Sequence, residues 1–370
     1  MKIGVIGAGR LGICFSLLLE RAGYSVIASD VREDYIQCLR NKTIITNEPQ
    51  VQKFLTESKN IEFKIGNIDV IRECDILYTL VATPSLPDGS YDVSAIWRVV
   101  LDIQNSGFDV NGKSFVVGCT TNPGDCELFQ KELEGYGVDV FYNPEFIAQG
   151  SIIKDLQNAD MVLVGGKGTH LKEIEEIYHK IQVTEPKVYS MSTTSAELVK
   201  LAVNCFLTTK ISYANMVGEV MTLAGLEDEI SHVLQAIGSD TRVGSKYLKY
   251  GYGFGGPCLP RDNRSFAAYA KKLGLQYNLG STTDDFNDEH SKFLKEYFIR
   301  KNTKNLPFCF KYISYKEGTD IITESQQYRL CYDLLNEGYK VYVLEDYVKS
   351  QCDERIIFDI PKEEVFLIEL

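Results

Sequence analysis

At 370 residues the chain is too long for one compact core, and its length predicts two or three domains. Its 44% apolar and 24% charged content is that of an ordinary globular protein. The net charge of −12 argues against nucleic acid or an acidic membrane surface as main partner, while leaving room for a small anion at local positive sites. No apolar run reaches the length of a membrane span, and the opening MKIGVIGAG reads as a first strand, not a signal peptide. Ten scattered cysteines with no CxxC spacing read as reduced thiols of a cytoplasmic protein. Four histidines (His170, His179, His232, His290) without paired spacing give no zinc site.

In chain order, residues 2–30 read as strand, glycine turn, amphipathic helix and strand. Further β-like runs follow at CDILYTLVAT (74–83), KSFVVGCTT (113–121), VDVFYNPEF (138–146) and ADMVLVGG (159–166), in the rhythm of a parallel α/β sheet. The rhythm changes near 190: residues 192–226 run without proline behind a Ser/Thr cap and a glutamate, predicting one long helix. The stretch to about 300 reads as mainly helical. Beyond it LPFCFKYISYK, SQQYRLCYDLLNEGY and KVYVLED restore strand–helix–strand, and EVFLIEL would close a small last sheet. The expected division is 1–192 for a Rossmann-like domain, 193–298 for a central helical domain and 299–370 for a short C-terminal α/β domain.

Gly7, Gly9 and Gly12 form GxGxxG between the first strand and its helix. In that motif the first glycine makes the tight turn, the second admits a pyrophosphate, and the third lets helix and strand pack closely. The helix N-terminus offers amide donors to phosphates. Asp30 ends the second strand, where a carboxylate accepts from ribose hydroxyls and repels a 2′-phosphate, so the expected cofactor is NAD; Arg32 is the counterweight, as a cation for that phosphate.

Lys200 and Asn204 share a face of the long helix, and Asn204 interrupts an apolar neighbourhood. A buried amide needs partners, and a lysine beside a reacting carbon stabilises an oxyanion. Farther on, GYGFGGPCLPRD (251–262) places Cys258 among glycines and prolines. A thiolate traps an aldehyde as a thiohemiacetal, whose oxidation gives a thioester that water cleaves to an acid. Lys200 and Arg261 would favour the thiolate, Gly253, Gly255 and Gly256 would clear space for substrate, and Asp262 would orient water or a cation.

These motifs together resemble the UDP-glucose/GDP-mannose dehydrogenase family over nearly the whole chain. GFGGPCLPRD is similar to the family's catalytic-cysteine loop; VATPSLPDGSYDVSAI, CTTNPGDC, NPEFIAQGSIIKDL and AELVKLAVN match other family segments, and YKEGTDIITES does so more loosely. The resemblance implies Cys258 as nucleophile, Lys200 and Asn204 at the oxyanion, and Asp262 with the attacking water. It implies Thr121 and Glu145 near that water and the sugar, and Thr83, Thr121 and Arg261 along the cofactor. Tyr247, Lys249, Gly255 and Lys316 fall where the family holds the nucleotide-sugar. Arg242 falls where an arginine reaches in from a second subunit, which implies a homodimer through the long helix. On the residues alone, Thr83 before Pro84 equally ends a strand, Thr121 serves a turn, Glu145 caps a helix, and Arg242, Tyr247, Lys249 and Lys316 are surface side chains.

The implied activity is NAD-dependent four-electron oxidation of the C6 alcohol of a nucleotide-sugar, UDP-glucose first, with GDP-mannose and UDP-N-acetylhexosamines open. Three departures stand out: Gln149 where the family often has glutamate, Thr323 where it often has arginine, and a short third domain. A single-hydride β-hydroxyacid dehydrogenase accounts for Lys200 and Asn204 but not for the Cys258 loop. A catalytically silent binding protein would have no chemical need for Cys258, Lys200, Asn204 and Asp262 together.

Overall fold

A computed structural model describes residues 1–370. The chain forms two compact units, Met1–Lys200 and Leu201–Leu370, with the boundary inside the helix Thr193–Leu223.

The first unit is built on eight strands: β1 Lys2–Ile6, β2 Ser25–Asp30, β3 Ile61–Ile65, β4 Ile76–Thr79, β5 Ser114–Val117, β6 Asp139–Tyr142, β7 Met161–Gly165 and β8 Lys187–Met191. Their order in the sheet is β3-β2-β1-β4-β5-β6-β7-β8. Successive residues of a strand face opposite sides of the sheet, so Ile3 and Val5 enter one core with Phe15 and Tyr178, while Ile6 enters the other with Val70 and Phe129. Central strands buried on both faces read as continuous apolar runs, which is why β1, β4, β5 and β6 are legible in the sequence. The edge strands β3 and β8 alternate with exposed residues and are not.

The sheet departs from the all-parallel expectation at one junction. β1 to β6 are parallel neighbours, but β7 joins β6 antiparallel through the single pair Tyr142↔Gly165, and β8 then runs parallel to β7. The order reverses between β1 and β4, and in such sheets ligands bind beyond the carboxyl ends of the strands at that reversal. Gly7 follows β1 there, and Leu80 follows β4.

The second unit carries the helices Ile230–Ser239, Leu259–Lys272 and Leu279–Lys301, then a three-stranded parallel sheet. Its strands are β9 Phe308–Phe310, β10 Val341–Val343 and β11 Phe366–Ile368, in the order β10-β9-β11, so EVFLIEL does close the last sheet. Leu294 and Phe298 of the preceding helix share one core with Phe308, Leu330, Val341 and Ile368. No helix is long and apolar enough to cross a membrane.

Candidate active site

The turn after β1 meets the steric demands of a dinucleotide site. Gly7 has φ +93°, and a Cβ there would lie 2.6 Å from the Leu80 carbonyl oxygen. A Cβ on Gly12 would lie 2.0 Å from the Gly7 carbonyl oxygen, so the helix Arg10–Arg21 packs this close only with glycine. At Gly9 the nearest atom is an Arg32 guanidinium nitrogen at 3.9 Å, which leaves the backbone open to a phosphate. Gly9 is also the N-cap and offers no capping side chain, so the first amides of the helix are left for an anion. These residues fit NAD.

Asp30 is buried at the end of β2. Arg32 grips it in a fork, with Nε to Oδ1 and Nη2 to Oδ2 both at 2.9 Å, and stacks over Tyr35. Burial pushes the Asp30 carboxyl up, but the Arg32 hydrogen bonds and charge outweigh it and hold the group below its ordinary range. Arg32 is thus occupied by the Asp30 carboxylate, which weakens it as a 2′-phosphate ligand.

A second cluster lies around the end of β6. Lys200, buried, donates to the Glu145 carbonyl at 2.8 Å and lies over the Phe146 ring. The Tyr178 hydroxyl lies 2.5 Å from Glu145 Oε1 and 2.7 Å from Asn143 Oδ1, and Asn143 Nδ2 donates to the Leu163 carbonyl. Burial pushes the Glu145 carboxyl up to about 7, against the Tyr178 hydrogen bond and the Lys200 charge. A carboxyl poised there exchanges protons near neutrality. Thr121 is fully buried and donates to Glu197 Oε1 at 2.9 Å. Glu197 also accepts from the Gly124 and Cys126 amides, so it anchors the Thr121 turn to the start of the long helix. Glu197, Tyr178 and Asn143 were not singled out in the sequence; a lone glutamate inside the apolar run AELVKLAV was the available signal.

In the second unit Cys258 is the N-cap of the helix Leu259–Lys272, with Pro260 in its first turn. Of the ten cysteines, none of them in a disulfide, Cys258 alone is exposed. Asp262, one turn on, is 2% exposed and accepts a short hydrogen bond from the Asn204 amide. The structure therefore unites Cys258, Asp262 and Asn204 in this unit, and Lys200 with Glu145 in the other.

The loop glycines require a correction. A Cβ on Gly253 would meet Asn287 Oδ1 at 2.1 Å, one on Gly255 the Glu324 carbonyl oxygen at 2.4 Å, and one on Gly256 the Tyr315 ring at 2.4 Å. The space beside all three is filled by the protein, so these glycines serve the packing of the loop rather than clear room for a sugar.

The remaining candidates are divided between the two units. Thr83 is buried and Arg261 half-buried. Arg242 is exposed and forked onto Asp240, with Nη2 to Oδ2 at 2.7 Å. Tyr247 is exposed with φ +62°, and Lys249, Lys316 and Thr323 are exposed. Gln149 accepts from Arg10 Nη1 at 3.1 Å, an amide carbonyl doing what a carboxylate would do more strongly.

Two models of one family match the chain. Residues 1–182 match the NAD binding domain of the UDP-glucose/GDP-mannose dehydrogenase family, and residues 194–289 match its central domain. The UDP-glucose 6-dehydrogenase TuaD of Bacillus subtilis is 31% identical over 78% of this chain, and the match spans 63% of that protein's length. The UDP-glucose 6-dehydrogenase AglM of Haloferax volcanii is 27% identical over 96% of this chain and 85% of its own. Among solved structures, a UDP-glucose dehydrogenase from Pyrobaculum islandicum superposes with a TM-score of 0.87 at 25% identity, covering 97% of this chain and 86% of that one.

Proposed function

The chain belongs to the UDP-glucose/GDP-mannose dehydrogenase family, as an NAD-dependent nucleotide-sugar dehydrogenase, and on that premise we propose that it oxidises the C6 alcohol of UDP-glucose to a carboxylate through a Cys258 thioester. The observation that carries this reading is the single exposed thiol among ten, at the start of a helix. Helix N-termini favour thiolates.

Bound NAD supplies the hydride acceptor for both oxidations, one molecule for each. The chain's own residues do the rest. The C6 alcohol gives its hydroxyl proton to the water ordered by Asp262 as it becomes an aldehyde, and the Cys258 thiolate adds to that carbon. Lys200 and Asn204 stabilise the resulting oxyanion. After the second oxidation C6 is a thioester carbonyl; water adds, Glu145 takes its proton, and the Cys258 sulfur leaves as thiolate. Asp262 fixes the Asn204 amide and orders water beside the sulfur. Gly7, Gly9, Gly12, Asp30, Thr83, Thr121 and Arg261 hold the cofactor. Tyr247, Lys249, Gly255 and Lys316 bind the nucleotide-sugar, Gly255 through its backbone amide.

The active form is a homodimer in the cytoplasm. Phe206, Tyr213, Met216, Val220 and Leu223 form an exposed apolar stripe along the long helix, at spacings that keep them near one face. A second copy laid along this stripe would cover it, and Arg242 would serve the partner's substrate. Ten cysteines with no disulfide among them support a reducing compartment.

Purified protein incubated with NAD and, separately, UDP-glucose, GDP-mannose and UDP-N-acetylhexosamines tests this reading by the NADH formed per sugar consumed. Two NADH per UDP-glucose is expected. One NADH per sugar would replace it with single-hydride chemistry, and NAD binding without turnover of any sugar would make the protein a silent binder.

A further inference from the structure

His290 is fully enclosed within the second unit, at 0% exposure, and the mechanism above does not use it. Its Nε2 lies 2.7 Å from the carbonyl oxygen of Gly251, the first residue of the loop that leads to Cys258. A carbonyl only accepts, so Nε2 carries a hydrogen and donates it. Its Nδ1 lies 2.6 Å from Glu219 Oε1 on the long helix. Two electron-rich atoms at that separation hold a proton between them, whichever of the two carries it. The ring is stacked against Phe286 and meets Tyr250 edge-on, which fixes its plane.

The rest of the loop entry is bolted to the same two helices. Asn215, one turn before Glu219, accepts from the Gly251 amide at 3.1 Å and donates to the Tyr252 carbonyl at 3.3 Å. Asn287, one turn before His290, accepts from the Phe254 amide at 2.9 Å and donates to its carbonyl at 3.0 Å. At these spacings each pair of side chains presents itself on one helix face. The backbone from 251 to 254 is therefore held by three polar side chains, of which His290 alone ties the two helices to each other as well as to the loop.

We infer that His290, bridging Glu219 and the Gly251 carbonyl, is a positioning residue for Cys258. It sets where the loop enters and thereby seats the thiol at the N-terminus of the helix Leu259–Lys272. This rests on the reading of Cys258 as nucleophile, but its first test does not. The rate of Cys258 alkylation by iodoacetamide is measured on the whole protein without substrate, with Cys258→Ser as the blank. In His290→Leu, which keeps the bulk and removes both hydrogen bonds, the rate falls at least about threefold as the thiol leaves the helix N-terminus. His290→Gln, which restores a donor for the Gly251 carbonyl, recovers most of it. With NAD and UDP-glucose, His290→Leu loses about tenfold in kcat while the KM for NAD is unchanged. Glu219→Gln serves if His290→Leu does not fold, with the same direction and a smaller size. A melting temperature that drops while the alkylation rate and kcat of the folded protein stay at wild-type values would overturn the assignment and make the bridge purely structural. An altered alkylation rate in a protein that turns over no sugar would leave the positioning intact and sink the proposed activity instead.

Discussion

Two glycine-rich turns, Gly7–Gly12 in the first unit and Gly251–Gly256 in the second, each run into the N-terminus of a helix. They look alike in composition and differ in what surrounds them. The first leaves its middle glycine bare, with nothing nearer a Cβ than an Arg32 nitrogen at 3.9 Å, while its outer glycines press against backbone. The second is backed at three of its four glycines: Asn287, the Glu324 carbonyl and the Tyr315 ring occupy the places beside Gly253, Gly255 and Gly256, only Gly251 at its entry is bare, and polar side chains pin the backbone between. One turn leaves open space beside its middle glycine, and the other is braced along the approach to Cys258. Glycine content alone marks neither; the atoms beside the missing Cβ distinguish them.

The contrast yields expected outcomes that differ in size. Largest is Glu145→Gln: with no carboxylate to accept the water proton, thioester hydrolysis slows by about 10²–10⁴-fold, and the rise in kcat with pH through about 7 disappears from the pH–rate profile. Next, Gly9→Ala leaves the melting temperature unchanged yet weakens NAD by about tenfold or more, read by fluorescence titration, since the new methyl meets the pyrophosphate and not the protein. Gly255→Ala does the reverse. Forcing a methyl against the Glu324 carbonyl costs about 1–3 kcal/mol, a drop of several degrees in melting temperature, with NAD affinity intact. Equal behaviour of the two variants would erase the distinction between the turns. A smaller effect is expected of Asp30→Ala, which frees Arg32: NAD weakens by about tenfold and the preference over NADP narrows.

The same Glu145 gives a stability signature independent of turnover. The folded chain keeps this proton up to about 7, whereas an unfolded glutamate loses it near 4.5. More protons are then bound in the native state, so stability falls as pH rises from about 4.5 to about 7 and levels off above. Urea unfolding across that range should show the slope in wild type and its loss in Glu145→Gln.

Much of this was legible in the residues, and the gaps have physical causes. GxGxxG followed by Asp30 announced the first turn because its requirements are steric and local. The Cys258 loop announced itself by composition, but its glycines were misread, since what fills their space comes from 34 to 69 residues away in the chain. β7 runs against β6 through a single residue pair, a direction that no apolar pattern encodes. His290 looked like an isolated histidine because its partners, Glu219 and Gly251, approach only through tertiary packing. Asn143 and Tyr178 were silent for the same reason: they become informative once the phenol is found between the buried amide and the Glu145 carboxyl.

The claim at the centre is the covalent step. Glu145→Gln mixed with NAD and UDP-glucose, quenched in acid and digested, should yield the Cys258 peptide carrying the UDP-glucuronyl group by mass spectrometry, released by neutral hydroxylamine as thioesters are. Formation of two NADH per sugar at full rate with the Cys258 peptide unmodified, or in Cys258→Ser, would contradict it.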